Sequence, residues 1–337
     1  MVIEKAEKQY LFCDDRPFPS CHASTVAVLP DGKVLAAWFG GLHEKASDVA
    51  IWLSSRVDGQ WSAPVKVADE DGIAHWNPVL DTDGARVSLY YKVGHEIADW
   101  HTRIIHSEDG GRTWSRPREL VSGDIGGRGP VRNKPIRLED GTLLAPSSVE
   151  RRDEERPGKE IWHAFVDISR DGGLTWQQSA FVPMDLDRYV GAEKWFAKGL
   201  IQPTLWTTGN GSVHMLLRST EGAIFRSDST DGGQTWSMAY ATSLPNNNSG
   251  IDLARLTNGT LALVYNPVAG FATDSPRTPL VVSFSKDNGA SWSDEFVLEN
   301  QPGEYSYPAI VARDGQLYIT YTWKRERIAF WHIPLAE

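Results

Sequence analysis

Four copies of one eight-residue segment recur along the chain and constrain its fold more than any other feature. The fullest copy reads Ser229-Thr-Asp-Gly-Gly-Gln-Thr-Trp236, the others span residues 107–114, 169–176 and 285–292, and a shortened fifth copy ends in Asp58-Gly-Gln-Trp61. Asp hydrogen-bonds the backbone of its own turn, Gly permits positive φ, and Trp is a large apolar group for packing. Each copy therefore predicts a hairpin turn followed by a packing anchor.

The spacing of these segments indicates a repeat architecture. Their Trp residues lie at positions 61, 114, 176, 236 and 292, which are 53, 62, 60 and 56 residues apart. Repeats of this size that each end in a hairpin are typical of the blades of a β-propeller. Because the array runs nearly from end to end, we predict a single all-β domain over residues 1–337.

Short apolar segments between the repeats give the number of blades. Blade one is read as four strands at 23–29, 34–41, 48–56 and 62–68, whereas the last blade shows only three, at 307–312, 316–323 and 327–333. The unassigned segment Gln9-Tyr-Leu-Phe12 can supply the missing strand beside 327–333, which removes the exposed sheet edges of an open array. We therefore predict a six-bladed β-propeller closed by the N-terminal strand in the last blade.

Composition excludes several classes of partner. The net charge is −10 and the basic residues are scattered, so we expect no nucleic-acid partner. The sequence contains no apolar stretch of the length that spans a bilayer, so we expect no membrane insertion. The first residues lack a signal pattern, which favours a cytoplasmic location unless a leader that directs secretion or periplasmic export has been removed. Cys13 and Cys21 are too few to cross-link the fold, and we expect two free thiols.

The first strands of successive blades share a polar residue near a following Ala, Pro or Ile. These polar residues are His22, Asn77, Lys134, Gln202, Ser249 and Tyr307. In a propeller such positions converge on one central funnel, which predicts a ligand site there. The alternative is that the six side chains only hydrogen-bond one another and a column of trapped water.

The repeated segment, of the form Ser-x-Asp-x-Gly-x-Thr-Trp, resembles the Asp-box of the sialidase (neuraminidase) superfamily over about residues 9–333. The resemblance implies a six-bladed propeller in which the boxes are structural turns away from the active site. Closer still are sialidase-like BNR-repeat proteins, whose blade openings are similar to Trp76-Asn-Pro78 and Asn133-Lys-Pro135. Some related propeller enzymes cleave rhamnose–glucuronate linkages, as lyases or as glycosidases, and some of them rely on an active-site His.

Sialidases hold the substrate carboxylate with three arginines, use a Tyr with a partner Glu as nucleophile, and use an Asp as acid/base. By context, Arg218 resembles the second arginine and Arg277 the third. Tyr305, in Tyr305-Ser-Tyr-Pro308, resembles the nucleophile, with Tyr307 as the alternative register. The acid/base position is matched by Asp48, with Glu44 as the competing residue.

Two positions differ from the sialidase pattern. His22 stands where the first arginine is expected, and Gln202 stands where the Glu partner of the Tyr is expected. Gln cannot accept a proton from a phenol, whose reference pKa is near ~10, so the resemblance does not extend to the complete sialidase mechanism. His22, with a reference pKa near ~6.5, can exchange protons at neutral pH or can simply be hydrogen-bonded in the axis.

The predicted pocket is suited to an acidic sugar. Arg218 and Arg277 can pair with a carboxylate and Lys134 adds a positive charge, while Gln202 and Asn77 offer further polar contacts. Trp76, Trp100, Trp195 and Tyr189 can pack against sugar rings or can be ordinary core residues. Residues 185–198 fit either a rim loop or a short helix. We expect no metal and no cofactor, because His43-Glu44 has no partners at ligand spacing.

Three functions are compatible with these features, and acidic oligosaccharides are the expected partner of the first two. A glycan-cleaving enzyme would act either by hydrolysis, with a carboxylate pair such as Asp48 and Glu44, or by β-elimination from a uronate, with His22 or a Tyr removing the proton. A sugar-binding propeller would bind the same ligands unchanged. A protein-interaction scaffold would not recognise them.

Overall fold

The computed structural model of the protein describes residues 2–3, 5–188, 197–270 and 276–336. Strands are the only regular elements of these described residues, and they follow one another as antiparallel meanders, so the fold is all-β as predicted. Among the described residues, no helix is long and apolar enough to cross a membrane. Cys13 and Cys21 are both free.

We number the meanders one to six in chain order. Meander one comprises Ser20–Val28, Val34–Gly41, Ala50–Val57, Gln60–Trp61 and Val65–Ala68. Meander two comprises His75–Asp83, Arg86–Val93, His101–Ser107 and Arg118–Glu119. Meander three comprises Ile136–Arg137, Leu143–Arg152, Glu160–Ser169 and Gln177–Gln178. The first strands of meanders one and two, four and five, five and six, and six and one contact each other, so we call the first strand of each meander the inner one.

The remaining meanders follow the same order. Meander four comprises Ala197–Gly209, Ser212–Ser219, Ala223–Ser229 and Tyr240–Pro245. Meander five comprises Asp252–Arg255, Leu261–Tyr265, Leu280–Ser285 and Phe296–Glu299. Meander six comprises Tyr305–Arg313, Gln316–Trp323 and Arg327–Ala336, and it is joined by Val2–Ile3 and Glu7–Tyr10 from the start of the chain.

Hydrogen bonding groups these strands into five sheets rather than six. Meanders three and four form one eight-stranded sheet, because Glu160–Trp162 pairs in parallel with 197–199. At the chain ends, Gln9 pairs with Phe330 and Tyr10 with Ala329 in an antiparallel ladder, and the amide of Leu11 donates to the carbonyl of Ile328. The strand from the beginning of the chain therefore lies beside the last one, while the count of six separate blades stays a prediction.

The repeated boxes form the same turn each time, and the turn of meander four shows how. The Asp231 carboxylate accepts hydrogen bonds from the Ser229 hydroxyl (2.7 Å), the Thr235 amide (3.0 Å) and the Thr235 hydroxyl (2.5 Å). The Trp236 ring is buried against the interface with meander three, where Leu144 lies in the same apolar cluster. Each box thus closes a hairpin and attaches it to the preceding meander.

The inner strands of four meanders contain a bulge at the same level. Register shifts occur between His22 and Thr25, Trp76 and Val79, Ile201 and Thr204, and Ser306 and Ala309. Each bulge holds one residue other than glycine at positive φ, namely Ala23, Asn77, Gln202 or Tyr307. Such backbone costs of order 1–3 kcal/mol and clusters at functional sites. Because a bulge interrupts strand alternation, it redirects the side chains at this level.

A buried carboxylate joins the inner strands below these bulges. Asp252 of meander five accepts hydrogen bonds from Lys134 Nζ (2.9 Å), the Thr204 hydroxyl (2.8 Å) and the Ile310 amide (2.9 Å). Lys134 therefore does not add a free positive charge to a ligand pocket, as the sequence suggested, because it spans the axis to Asp252. The interaction connects meanders three, four, five and six.

The box carboxylates should make the fold sensitive to acid. Burial of Asp231 is outweighed by hydrogen bonds from Thr235 and Ser229, which lower its pKa to about 2. Hydrogen bonds from Thr175 and Ser291 likewise lower the pKa values of Asp171 and Asp287 to about 2. Groups with depressed pKa values stabilise the fold above their unfolded pKa near ~4, and this stabilisation is lost as the pH falls towards 2.

We predict that Asp231→Asn lowers the urea midpoint at pH 7 and that the difference from the wild type shrinks between about pH 4 and pH 2. Urea unfolding followed by Trp fluorescence at each pH measures this. Asp31→Asn is the matched control, because Asp31 lies in an exposed turn and its carboxylate accepts a single hydrogen bond within the described structure, from the Lys33 backbone amide. A difference that is constant across this pH range would contradict the assignment.

Candidate active site

Tyr307 is the centre of a cluster of cationic and polar groups at one end of the axis. Its hydroxyl oxygen accepts hydrogen bonds from Arg218 Nη1 (3.1 Å) and from Gln202 Nε2 (3.4 Å). The guanidinium carbons of Arg218 and Arg277 lie 5.9 and 5.8 Å from the centre of its ring. His22 packs against the same ring, with the two ring centres 4.3 Å apart. Four of the other predicted site residues therefore meet around Tyr307.

Tyr305 lies elsewhere, which corrects the register favoured by the sequence. Its side chain is 1% exposed and packs in the apolar cluster between meanders five and six, near Leu317 and Tyr321. The bulge after Ser306 separates the two tyrosines, because Tyr307 adopts a φ of 52° and is aimed at the axis. The alternative register, with Tyr307 in the pocket, is the one in the structure.

Arg277 and Arg218, the two arginines expected from the sequence, differ in whether a carboxylate pairs with them. Arg277 Nη1 forms an ion pair with Glu304 at 3.1 Å. Arg218 donates instead to the neutral acceptors Asn248 Oδ1 (2.6 Å) and Gln202 Oε1 (3.0 Å), and no carboxylate in the described part of the chain pairs with it. Arg218 is 7% exposed. A buried guanidinium without an anionic partner favours binding of an anion.

Two further arginines belong to the cluster, although the sequence analysis did not predict them as site residues. Arg132 is 1% exposed, donates to the carbonyls of Tyr307 and Pro308 from across the axis, and lies 5.2 Å from the Tyr307 ring centre. Arg325, in the turn after Gln316–Trp323, pairs with Glu44 at 2.6 Å and Glu304 at 3.1 Å. Arg132 directly precedes the blade opening Asn133-Lys-Pro135, although nothing in that motif marks it as a site residue, and no box or blade opening marks Arg325. Among the described contacts, four arginines therefore face two glutamates.

His22 is held in a neutral form by these surroundings. Burial, and then the charges of Arg325, Arg277, Arg132 and Arg218, lower the pKa of His22 well below its usual value. Its Nε2 lies 3.5 Å from Arg325 Nη2, which can only donate, so Nε2 is the acceptor and Nδ1–H donates to the Thr322 hydroxyl at 3.0 Å. An anion bound between the arginines would make protonation of His22 easier.

Tyr307 is shifted towards its phenolate form. Burial opposes ionisation of its hydroxyl, but the nearby charges of Arg218 and Arg277 and the hydrogen bond from Gln202 outweigh it, so the pKa of Tyr307 is lowered. A Glu partner is therefore not the only means of activating this phenol. Donors aimed at an oxygen stabilise its anionic form. The oxygen is a candidate nucleophile or base.

The other predicted site residues lie at the margin or outside the cluster. Asp48 is exposed and accepts hydrogen bonds from the Leu42 amide, within its own loop. Asn77 is buried at the bulge of meander two. Trp76 and Trp100 pack on each other in the core and are 2% and 4% exposed, so neither is a sugar platform. Tyr189, Trp195 and most of the insert lie outside the described residues.

Comparison with known proteins agrees with the sequence resemblance. The chain belongs to the BNR repeat-like domain family, whose domain matches residues 32–319. It is similar to a sialidase of Micromonospora viridifaciens, 30% identical over 191 residues, which are 55% of this chain and 26% of that protein. A Clostridium perfringens sialidase is 29% identical over 26% of this chain and 24% of its own length. The chain thus spans about a quarter of the length of these relatives.

Solved structures share the fold. A Dyadobacter fermentans protein of unknown function superimposes with a TM-score of 0.76 at 17% identity, covering 99% of both chains. The K499G mutant of NanB sialidase from Streptococcus pneumoniae gives 0.73 at 12% identity, covering 95% of this chain and 69% of that one. The family match makes the chain a BNR repeat-like protein, and the solved structures show that it shares the fold of sialidases.

We predict that Tyr307 ionises at lower pH than the other tyrosines. Ultraviolet difference titration should show a phenolate that appears below the main tyrosine transition near pH ~10 and is absent from Tyr307→Phe. Arg218→Gln should move this phase to higher pH. Burial raises the pKa of Tyr305, so Tyr305→Phe is the control that keeps the early phase. An unchanged titration in Tyr307→Phe would contradict the lowered pKa.

Proposed function

We propose that this protein cleaves a glycan at an acidic sugar of the uronate or sialate type, with Tyr307 as the reactive group in hydrolysis or His22 in elimination. The observation that carries this proposal is the Tyr307 oxygen, which accepts from Arg218 and Gln202 in a pocket where arginines outnumber glutamates. Arg218 and Arg277 would hold the carboxylate of the sugar. We also propose one domain over residues 1–337, with six blades closed by Glu7–Tyr10 beside Arg327–Ala336, which the end-strand pairing supports.

Hydrolysis through Tyr307 is the first form of the reaction. The phenolate oxygen would attack the anomeric carbon, and water would then release the sugar from the enzyme. His22 and Gln202 replace an arginine and a glutamate of the sialidase mechanism, so we propose that the preferred sugar is not sialic acid. Removing one such group typically costs ~10²–10⁴ in rate.

β-Elimination from a uronate is the second form, and the contact between His22 and Tyr307 favours it. A neutral imidazole 4.3 Å from the phenol ring can accept the proton on the carbon next to the carboxylate. The arginines would stabilise the negative charge that develops on that carboxylate. The two forms differ in product, because only elimination leaves an unsaturated uronate.

We predict that a panel of acidic oligosaccharides contains a substrate whose cleavage is unchanged in Tyr305→Phe and falls ~10²–10⁴-fold in Tyr307→Phe if the reaction is hydrolysis, or in His22→Ala if it is elimination. Reducing-sugar release and absorbance of unsaturated uronate, recorded together, distinguish hydrolysis from elimination. An aryl sialoside in the same panel should turn over slowly. Binding without cleavage would instead indicate a sugar-binding propeller, and rapid release of sialic acid would contradict the proposed specificity.

Arg277 and His22 should affect different kinetic constants. Arg277→Ala removes a carboxylate contact present in both ground and transition states, so KM should rise more than kcat falls. His22→Ala should lower kcat with a smaller effect on KM, because the imidazole is proposed to act in the chemical step. Arg255→Ala, at the opposite end of the axis, is the control for net charge. Equal effects of all three substitutions would contradict these roles.

A further inference from the structure

Glu150 is a carboxyl group at the mouth of the candidate active site that neither form of the proposed reaction uses. It lies near the end of Leu143–Arg152, the second strand of meander three. Arg218 lies at the equivalent end of the second strand of meander four. Since the second strands of all meanders run in the same direction along the axis, these two ends lie on the same face of the protein.

Local contacts place Glu150 on the wall of the pocket. Ser148 lies two residues earlier and therefore on the same face of the strand. Its hydroxyl accepts a hydrogen bond from the backbone amide of Gln202 at 3.2 Å. Opposite Glu150 in the ladder is Trp162, and the guanidinium carbon of Arg218 lies 5.8 Å from the Trp162 ring centre. Gln202 and Arg218 are both partners of Tyr307, so the wall that carries Glu150 adjoins the reactive group.

The surroundings of Glu150 shift it towards its protonated form. Burial disfavours the charged form of Glu150, and the negative charge of Glu160 disfavours it further. The positive charges of Arg218 and Lys45 favour the charged form but only partly compensate. The pKa of Glu150 is thereby raised to about 7. Its carboxyl accepts no hydrogen bond from the described residues. By contrast, the carboxyl oxygens of Asp48 bind the Leu42 amide and Glu44 is paired with Arg325.

We propose that Glu150 is the proton donor that protonates the leaving oxygen of the scissile linkage. This inference rests on the proposed glycan-cleaving function and assigns the acid in both of its forms. In hydrolysis the Tyr307 oxygen bonds to the anomeric carbon while the glycosidic bond breaks, and its electron pair leaves on the oxygen that takes the Glu150 proton. Water then attacks the same carbon, returns a proton to Glu150 and releases Tyr307.

In elimination Glu150 gives the same proton to a different oxygen, the one bonded to the carbon β to the carboxylate. His22 takes the proton from the carbon next to the carboxylate, and the electron pair of that bond forms the carbon–carbon double bond. The bond to the leaving oxygen breaks and the oxygen accepts the Glu150 proton. Exchange with solvent then returns His22 and Glu150 to their starting forms. In both forms of the reaction, the positive charges of Arg218 and Lys45 stabilise the Glu150 carboxylate that remains after proton transfer.

Leaving groups of different acidity test this role. We predict that Glu150→Gln lowers kcat ~10²–10³-fold for a sugar or alkyl leaving group and less than ~10-fold for a nitrophenyl leaving group, which departs without protonation. The wild-type rate on the sugar leaving group should fall above about pH 7, as Glu150 loses its proton. This decline should be absent from Glu150→Gln.

Glu160→Gln is the matched control, because it lies in the facing strand and its charge raises the pKa of Glu150. It should keep the proton donor and move the decline to lower pH. Circular dichroism and the melting temperature check that both variants fold. Equal losses of Glu150→Gln on both leaving groups, or no loss on either, would overturn the assignment. The proposed function would stay intact if Tyr307→Phe or His22→Ala is inactive. A wild-type protein that cleaves neither substrate refutes both.

Discussion

The buried carboxylate of Asp252 is the interaction on which the centre of this fold depends. It collects hydrogen bonds from Lys134, Thr204 and Ile310, which belong to three other meanders. Breaking a buried ion pair by removing one partner typically costs ~3–5 kcal/mol, because the remaining charge is left in the interior. This network fixes the inner strands at one level, and the bulges that build the candidate site lie directly above it.

The inner strands, joined by this network, hold several arginine side chains close together at one end of the axis. Arg132 crosses the axis to the backbone of Tyr307 and Pro308, Arg218 is held by neutral acceptors, and Arg277 shares Glu304 with Arg325. Held charges of like sign repel one another unless an anion enters, so the geometry favours an acidic ligand. Burial and then these charges lower the pKa of His22, and the same charges lower the pKa of Tyr307 in spite of its burial.

The sequence predicted the features that depend on local pattern. The boxes gave the hairpins, their spacing gave an all-β repeat fold, and the blade contexts brought His22, Arg218 and Arg277 to one cluster. Tyr305 was preferred to Tyr307 because strand alternation cannot reveal a bulge. The sequence did contain a signal for the bulges, because Asn77, Gln202 and Tyr307 each precede a proline. In the structure all three residues have positive φ. The partner of Lys134 and the position of Glu150 depend on contacts between distant meanders, which no local motif encodes.

The most direct test of an anion-binding active site is to compare the affinity of the protein for a uronate with its affinity for the neutral counterpart of that sugar. Calorimetric titration with methyl glucuronoside and methyl glucoside, which differ at the carboxylate, measures what the arginine cluster recognises. Hydrogen bonds to charged groups contribute about 1.5–3 kcal/mol each, so the glucuronoside should bind at least about tenfold more tightly, and less so at high salt. Equal affinities for the two sugars would contradict an anion-binding active site around Tyr307.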